Sequence, residues 1–167
     1  MSPSVLELTR AEDLMNRDVV ALGPRDTIQD AIALMAEHHV SGLPVVGADN
    51  RCQGVLSASD ILSFVENEQR EAEENLEANG QWFNTESLCW ESVLLSPAAM
   101  DEYGSTPIED VMTSLVITVP LEMPAAEVAQ EMDSNSVHRV FVIDEKRRLH
   151  GVISSFDFVR MAADSNE

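Results

Sequence analysis

Apolar and polar positions fall along this chain in short blocks whose spacing switches between strand-like and helix-like. Val19 to Leu22 is a short β-branched run bounded by turn residues, the pattern of a first strand. Asp26 can then cap a helix whose apolar positions Ile28, Ala31, Ile32 and Met35 recur at helical spacing. Leu43 to Val46 and Gly54 to Leu56 read as two further strands joined by a turn at Asp49-Asn50. The last strand hands over directly to a helix beginning near Ser57. The predicted order is strand, helix, strand, strand, helix.

The same blocks return ninety-seven residues later without a gap. Val116 to Val119, the helical face Ala125, Val128, Ala129 and Met132, the runs Val140 to Ile143 and Gly151 to Ile153, and a helix near Ser154 repeat the order, with Asp144 to Arg148 as the turn. Thr9 falls on Thr106, Met15 on Met112, Met35 on Met132 and Arg51 on Arg148. Gly54-Val55-Leu56-Ser57-Ala58-Ser59-Asp60 falls on Gly151-Val152-Ile153-Ser154-Ser155-Phe156-Asp157. Each copy opens with the Thr-x-x-Glu spacing of a capping box, at Thr9 to Glu12 and Thr106 to Glu109, with Pro107 where a first helical residue tolerates proline. A short helical turn ending near Met15 or Met112 is expected. The chain is therefore a duplication in the α/β (α+β) class, with repeats at residues 7–64 and 106–163. Each copy is too small to bury a good core alone, so the two are expected to pack face to face.

Residues 65–105 have no counterpart. Glu66 to Glu77 is strongly acidic with only Arg70 opposing, which predicts a solvated extension of the helix carrying Asp60, closed by Asn79-Gly80. Trp82 and Trp90 follow with Phe83, Leu88 and Cys89 beside them. Two readings stand for this cluster: packing of the insert onto its own body or a partner subunit, or a docking site for another protein.

Composition narrows the function classes. The 167 residues are 44% apolar and 24% charged, with a net charge of -20 from thirty acids against ten Lys and Arg. Such a chain repels phosphate backbones and anionic bilayers, so neither nucleic-acid nor membrane binding is expected. Any anionic ligand must meet local positive groups. Cys52 and Cys89 form no metal-type pair and no disulfide framework, and neither the start of the chain nor any apolar run has the form of a signal or spanning segment. A soluble, cytoplasmic protein is the expectation.

A strand running into a helix through Gly-hydrophobic-hydrophobic-Ser-x-x-Asp gathers first-turn amides, a hydroxyl at the cap and a carboxylate one turn along. Amides and a hydroxyl suit a phosphate, and a carboxylate accepts from the paired hydroxyls of a ribose. Together they describe a nucleotide grip. The same residues serve equally well as caps of their own helices, and duplication would copy a cap as readily as a site.

The doubled motif, the segments His39-Val40-Ser41-Gly42-Leu43-Pro44-Val45-Val46 and Val137-His138-Arg139-Val140-Phe141-Val142-Ile143-Asp144, and the leading Asp-Leu-Met and Asp-Val-Met resemble a tandem pair of cystathionine-β-synthase (CBS) domains. The resemblance spans nearly the whole chain except the insert and the termini, and implies a stand-alone, non-catalytic regulatory module. It implies β-α-β-β-α repeats packed about a pseudo-two-fold axis, with adenosine-containing ligands (AMP, ADP, ATP or S-adenosylmethionine) in two clefts between them. In one cleft Asp60 would hold the ribose and Ser57 the phosphate side, Met112, Ile117 and Val137 would enclose the base, and His138 and Arg139 would lie near the phosphate. In the other, Asp157 and Ser154 would face Met15, Val20, Val40 and Ser41. A homodimer and an unidentified protein target are also implied.

His138-Arg139 replaces Ser41-Gly42 between the copies, and Arg can fork onto phosphate oxygens, so the Asp60 cleft is expected to prefer a nucleotide and the Asp157 cleft to be weaker. The alternative is that Arg139 pairs with a nearby acid such as Asp144. His38 and His39 end a helix, where a cation suits the dipole better than metal ligation suits the pattern. No nucleophile motif, HExxH or phosphate-binding loop is present in the sequence. A ligand-binding sensor is the leading expectation, a constitutive oligomerisation or scaffold module with vestigial clefts its rival.

Overall fold

A computed structural model of the chain describes residues 5–71 and 95–164. Its helices are α1 (Val5–Leu8), α2 (Ala11–Leu14), α3 (Ile28–His38), α4 (Ala58–Glu71), α5 (Pro97–Tyr103), α6 (Ala125–Ser134) and α7 (Ser155–Asp164). Its strands are β1 (Gly42–Val46), β2 (Cys52–Ser57), β3 (Thr118–Pro120), β4 (Arg139–Ile143) and β5 (Leu149–Ser154). A 3-10 turn covers Ile108–Asp110. The mixed α+β architecture with two repeats agrees with the sequence reading. The predicted acidic extension is helical as far as Glu71, while Trp82, Phe83, Leu88, Cys89 and Trp90 lie outside the described residues.

The described residues gather into two units that cut across the repeats. One comprises residues 20–48, 53–71 and 95–115; we call it the Asp60 unit. The other, the Asp157 unit, comprises residues 5–19, 49–52 and 116–164. The leading segment of each repeat is thus found with the body of the other. Ala11 donates its N–H to Met123 O at 2.8 Å and Glu12 to Leu121 O at 3.0 Å, which ties α2 to the second repeat. Ile28 N–H reaches Thr106 O at 3.1 Å and Ile108 N–H reaches Asp26 O at 2.8 Å, which ties the second leader to the first repeat.

In the Asp157 unit β3 pairs in parallel with β4, and β4 antiparallel with β5. Val119, Val128, Met132, Val140, Val142 and Ile153 form its core with Ala11 and Met15. In the Asp60 unit β1 and β2 form a two-stranded sheet, and the strand expected over Val19 to Leu22 contracts to a single bridge between Leu22 and Val45. Proline explains the difference. Phe141 donates its N–H to Ile117 O at 3.3 Å, whereas its counterpart at the ninety-seven-residue spacing is Pro44, which has no N–H to give.

Caps also differ in detail from the expectation. Thr27, not Asp26, caps α3: its hydroxyl accepts the Asp30 N–H at 3.2 Å, and Asp30 accepts the Thr27 N–H at 2.9 Å. Asp26 instead accepts from Gly23 N–H at 2.7 Å. The boxes expected at Thr9 and Thr106 do not form, because α2 begins after Arg10 and the 3-10 turn after Pro107. α3 ends at His38, with His39 as its left-handed cap.

Candidate functional site

Gly54 and Gly151 set the frame of the site. A Cβ on Gly54 would meet Met112 Sδ and Thr113 O at 2.8 Å, and one on Gly151 would meet Met15 Sδ at 2.6 Å and Asn16 O at 2.8 Å. Only a glycine lets the leader come this close. Once there, Thr113 and Val55 exchange N–H to C=O bonds of 2.9 Å in both directions, and Asn16 and Val152 do the same at 2.9 and 3.0 Å. The Met of each leader and the Ser-x-x-Asp of the other repeat are thereby fixed together within one unit.

The Ser and Asp of each motif close a local capping geometry. Asp60 Oδ2 accepts the Ser57 N–H at 2.7 Å and the Ser57 hydroxyl at 2.5 Å, and the Asp60 N–H returns to Ser57 Oγ at 3.2 Å. Asp157 Oδ2 accepts the Ser154 N–H and hydroxyl, each at 2.7 Å. Ser41 O receives the Ala58 N–H at 2.9 Å, and His138 O the Ser155 N–H at 3.1 Å. Several of the amides that the sequence suggested were open to a phosphate are therefore already bonded within each unit. The cap and the proposed grip use the same atoms.

Of the residues predicted from the sequence, Val20, Val40, Ser41, Ser57, Asp60 and Met112 fall in the Asp60 unit. Met15, Ile117, Val137, His138, Arg139, Ser154 and Asp157 fall in the Asp157 unit. Sequence reasoning had grouped Arg139 with Ser57 and Asp60. Within its own unit Arg139 opens β4 directly across from Ser154, and Asp157 is its charged neighbour. Burial lowers the Arg139 guanidinium from its ordinary value, and the Asp157 carboxylate acts against that shift. A half-buried cation beside a carboxylate and a capping serine is a suitable end for a phosphorylated ribose.

Asp144, the acid weighed as a partner for Arg139, pairs with Arg148 at 2.7 Å and His150 at 3.2 Å. Desolvation raises its carboxyl, but hydrogen bonds from the Arg148 backbone and side chain, His150 and the Lys146 N–H outweigh this and hold it well below the usual carboxylate range. Val137 and His138 also border an open cavity of about 450 Å³ lined by Ala129, Met132, Asp133, Ser155 and Phe158. Among the described residues no group of His, Cys, Asp and Glu has the arrangement of a metal site, and no helix is long and apolar enough to cross a membrane.

Two polar residues of this site went unread in the sequence. Thr113 Oγ1 donates to Asp60 Oδ1 at 3.1 Å, and Asn16 holds the matching position in the other unit. The ninety-seven-residue alignment already set Thr113 against Asn16, directly after the matched methionines, and that mismatch was the available signal.

Comparison with known proteins places these observations. The CBS domain family model matches residues 11–67 and 108–164. Inosine-5′-monophosphate dehydrogenase of Methanocaldococcus jannaschii is 22% identical over 156 residues, 93% of this chain, which spans only 24% of that protein. Among solved structures the fold is similar to CBSX2 in complex with AMP, at a TM-score of 0.68 and 20% identity over 95% of this chain and 98% of that one. It is also similar to a CBS domain pair in complex with 5′-methylthioadenosine and S-adenosyl-L-methionine, at a TM-score of 0.63 and 20% identity over 94% and 98%.

Proposed function

This chain belongs to the CBS domain family, and from that premise we propose that it is a regulatory module that binds an adenosine-containing ligand and passes the event to a partner protein. The observation that carries the reading is Arg139, set across from Ser154 and beside Asp157 in a chain of net charge -20. On this reading Asp157 takes the ribose hydroxyls, Ser154 and Arg139 the phosphate, and Ile117, Val137 and Met15 the base. Asp60 and Ser57, with Met112, Val20, Val40 and Ser41, form a second set with Gly42 at the position of Arg139, suited to a nucleoside. The AMP bound by CBSX2 and the S-adenosyl-L-methionine bound by another domain pair support this ligand class. Exposed Phe156 and Val159 on α7 support self-association as a homodimer, and the setting proposed for it is cytoplasmic.

Calorimetric titration with AMP, ATP, S-adenosylmethionine and adenosine tests it. Arg139→Ala should cost AMP on the order of 1.5–3 kcal/mol, as for charge-assisted hydrogen bonds, and leave adenosine nearly unchanged. Asp157→Ala should weaken both. Absence of heat and of any Tm shift with all four ligands at millimolar concentration removes the sensor reading. The capping bonds of Ser57 and Asp60 favour the second reading, a constitutive oligomerisation or scaffold module, and that result would leave it standing.

A further inference from the structure

Resting on the ligand-binding reading, we infer that Thr113 is a specificity-determining residue that occupies one oxygen of the Asp60 carboxylate and makes the two ribose acceptors unequal. An ionised carboxylate has two oxygens and about four lone-pair positions. Asp60 Oδ2 is filled by the Ser57 N–H and hydroxyl, at 2.7 and 2.5 Å, and Oδ1 receives the Thr113 hydroxyl at 3.1 Å. A single position remains. The two neighbouring hydroxyls of a ribose both donate, so one of them must compete with Thr113.

In the Asp157 unit the same first oxygen is filled in the same way, by the Ser154 N–H and hydroxyl at 2.7 Å each. No counterpart of the Thr113 bond reaches the second: Asn16 turns its side-chain oxygen to the Asp18 N–H at 3.0 Å. The backbone frame is matched, since Thr113 and Asn16 each exchange two main-chain bonds with the strand residue beside them. Beside the Arg139 difference already described, this side chain separates an acceptor that carries the Thr113 bond from one that does not.

The consequence is a difference in sugar selectivity. The Asp157 set should discriminate adenosine from 2′-deoxyadenosine, because it can accept from both hydroxyls. The Asp60 set should discriminate poorly, since with Thr113 on Oδ1 it can accept from only one hydroxyl, and the deoxy sugar still supplies one. Thr113 is exposed, so its replacement by valine, of nearly the same shape, opens no hole in the core.

The test is calorimetric titration of the full chain with adenosine and with 2′-deoxyadenosine. Asp157→Ala isolates the Asp60 set. Adding Thr113→Val to it should raise adenosine affinity roughly fivefold, the net worth of one hydrogen bond, and change 2′-deoxyadenosine little. In the reciprocal background, Asp60→Ala, the change Asn16→Thr should lower adenosine affinity by a similar factor. If the parent chain binds adenosine but Thr113→Val leaves the isolated set unchanged or weaker, the inference is wrong and the ligand reading survives. If neither the parent nor any variant binds adenosine or AMP, both are wrong.

Discussion

In the Asp60 unit the helix that carries the carboxylate buries Ala58, Ile61, Leu62 and Val65, whereas its counterpart α7 in the Asp157 unit buries no residue. Both are amphipathic and both follow the same strand motif. What differs is the company each keeps. Leu95, Ala99 and Tyr103, just ahead of the second repeat, join the core around α4, and Tyr103 meets Phe64 edge-on at 6.1 Å. Tyr103 corresponds at the ninety-seven-residue spacing to Leu6, which is exposed, and α7 presents Phe156 and Val159 about 60% exposed. Equal patterns thus reach unequal burial because the segment preceding a repeat, not the repeat itself, decides what is covered.

The contrast can be broken at one matched pair. Ile61 is fully buried, and its counterpart Phe158 is only partly so, beside the open cavity. Ile61→Ala should cost about 3–4 kcal/mol in urea unfolding and Phe158→Ala about 1–2, although phenylalanine loses more atoms. Equal costs would mean that the burial difference has no energetic content.

A second pair should show sameness rather than difference. Gly54→Ala and Gly151→Ala each drive a methyl into a methionine and a backbone carbonyl, so each should destabilise the chain by roughly 2 kcal/mol, in the range for overpacking. A cost confined to one of them would mean that the two leaders are not held alike.

The smallest effect concerns the turns. Asp144 collects the Lys146 and Arg148 amides and the Arg148 and His150 side chains, and the matching residue of the first repeat is Gly47. Its depressed carboxyl stabilises the fold fully above the unfolded value of roughly 3.9, and that stabilisation is lost as pH falls through the lower folded value. Asp144→Asn should lower Tm at neutral pH, and the gap to the parent should narrow below about pH 4. A gap independent of pH would assign the turn's stability to groups other than this carboxylate.

Much of this was legible. Period and punctuation located α3, α6, β1, β2, β4 and β5, because a half-buried helix or strand writes its buried face into the sequence. The motif residues Ser57, Asp60, Ser154 and Asp157 were found the same way, by their repetition. The first strand was overread because apolar runs carry no record of whether the neighbouring strand has an N–H to donate, and Pro44 does not. The cap of α3 was misplaced by one residue, since Asp26 and Thr27 are both good caps and Gly23 decides between them by taking the Asp26 carboxylate. The pairing of Arg139 with Ser154 across the sheet went unread because strand register sets it, which linear spacing does not reveal. Thr113 was missed for a related reason: its partner Asp60 lies fifty-three residues away.

The exchange of leading segments has a bearing on the order in which a ribosome releases this chain. Residues 5–19 emerge ahead of the rest of their unit, and the carbonyls of Leu121, Met123 and Val152 that receive their amides are made about a hundred residues or more later. The Asp60 unit has all its described parts once residue 115 is out and can close while synthesis continues. The Asp157 unit needs residues 5–19 and 116–164 at once, so its closure is a long-range event and belongs to the slow class of folding steps. Until the second repeat is complete, Ala11 and Met15 have no core to enter.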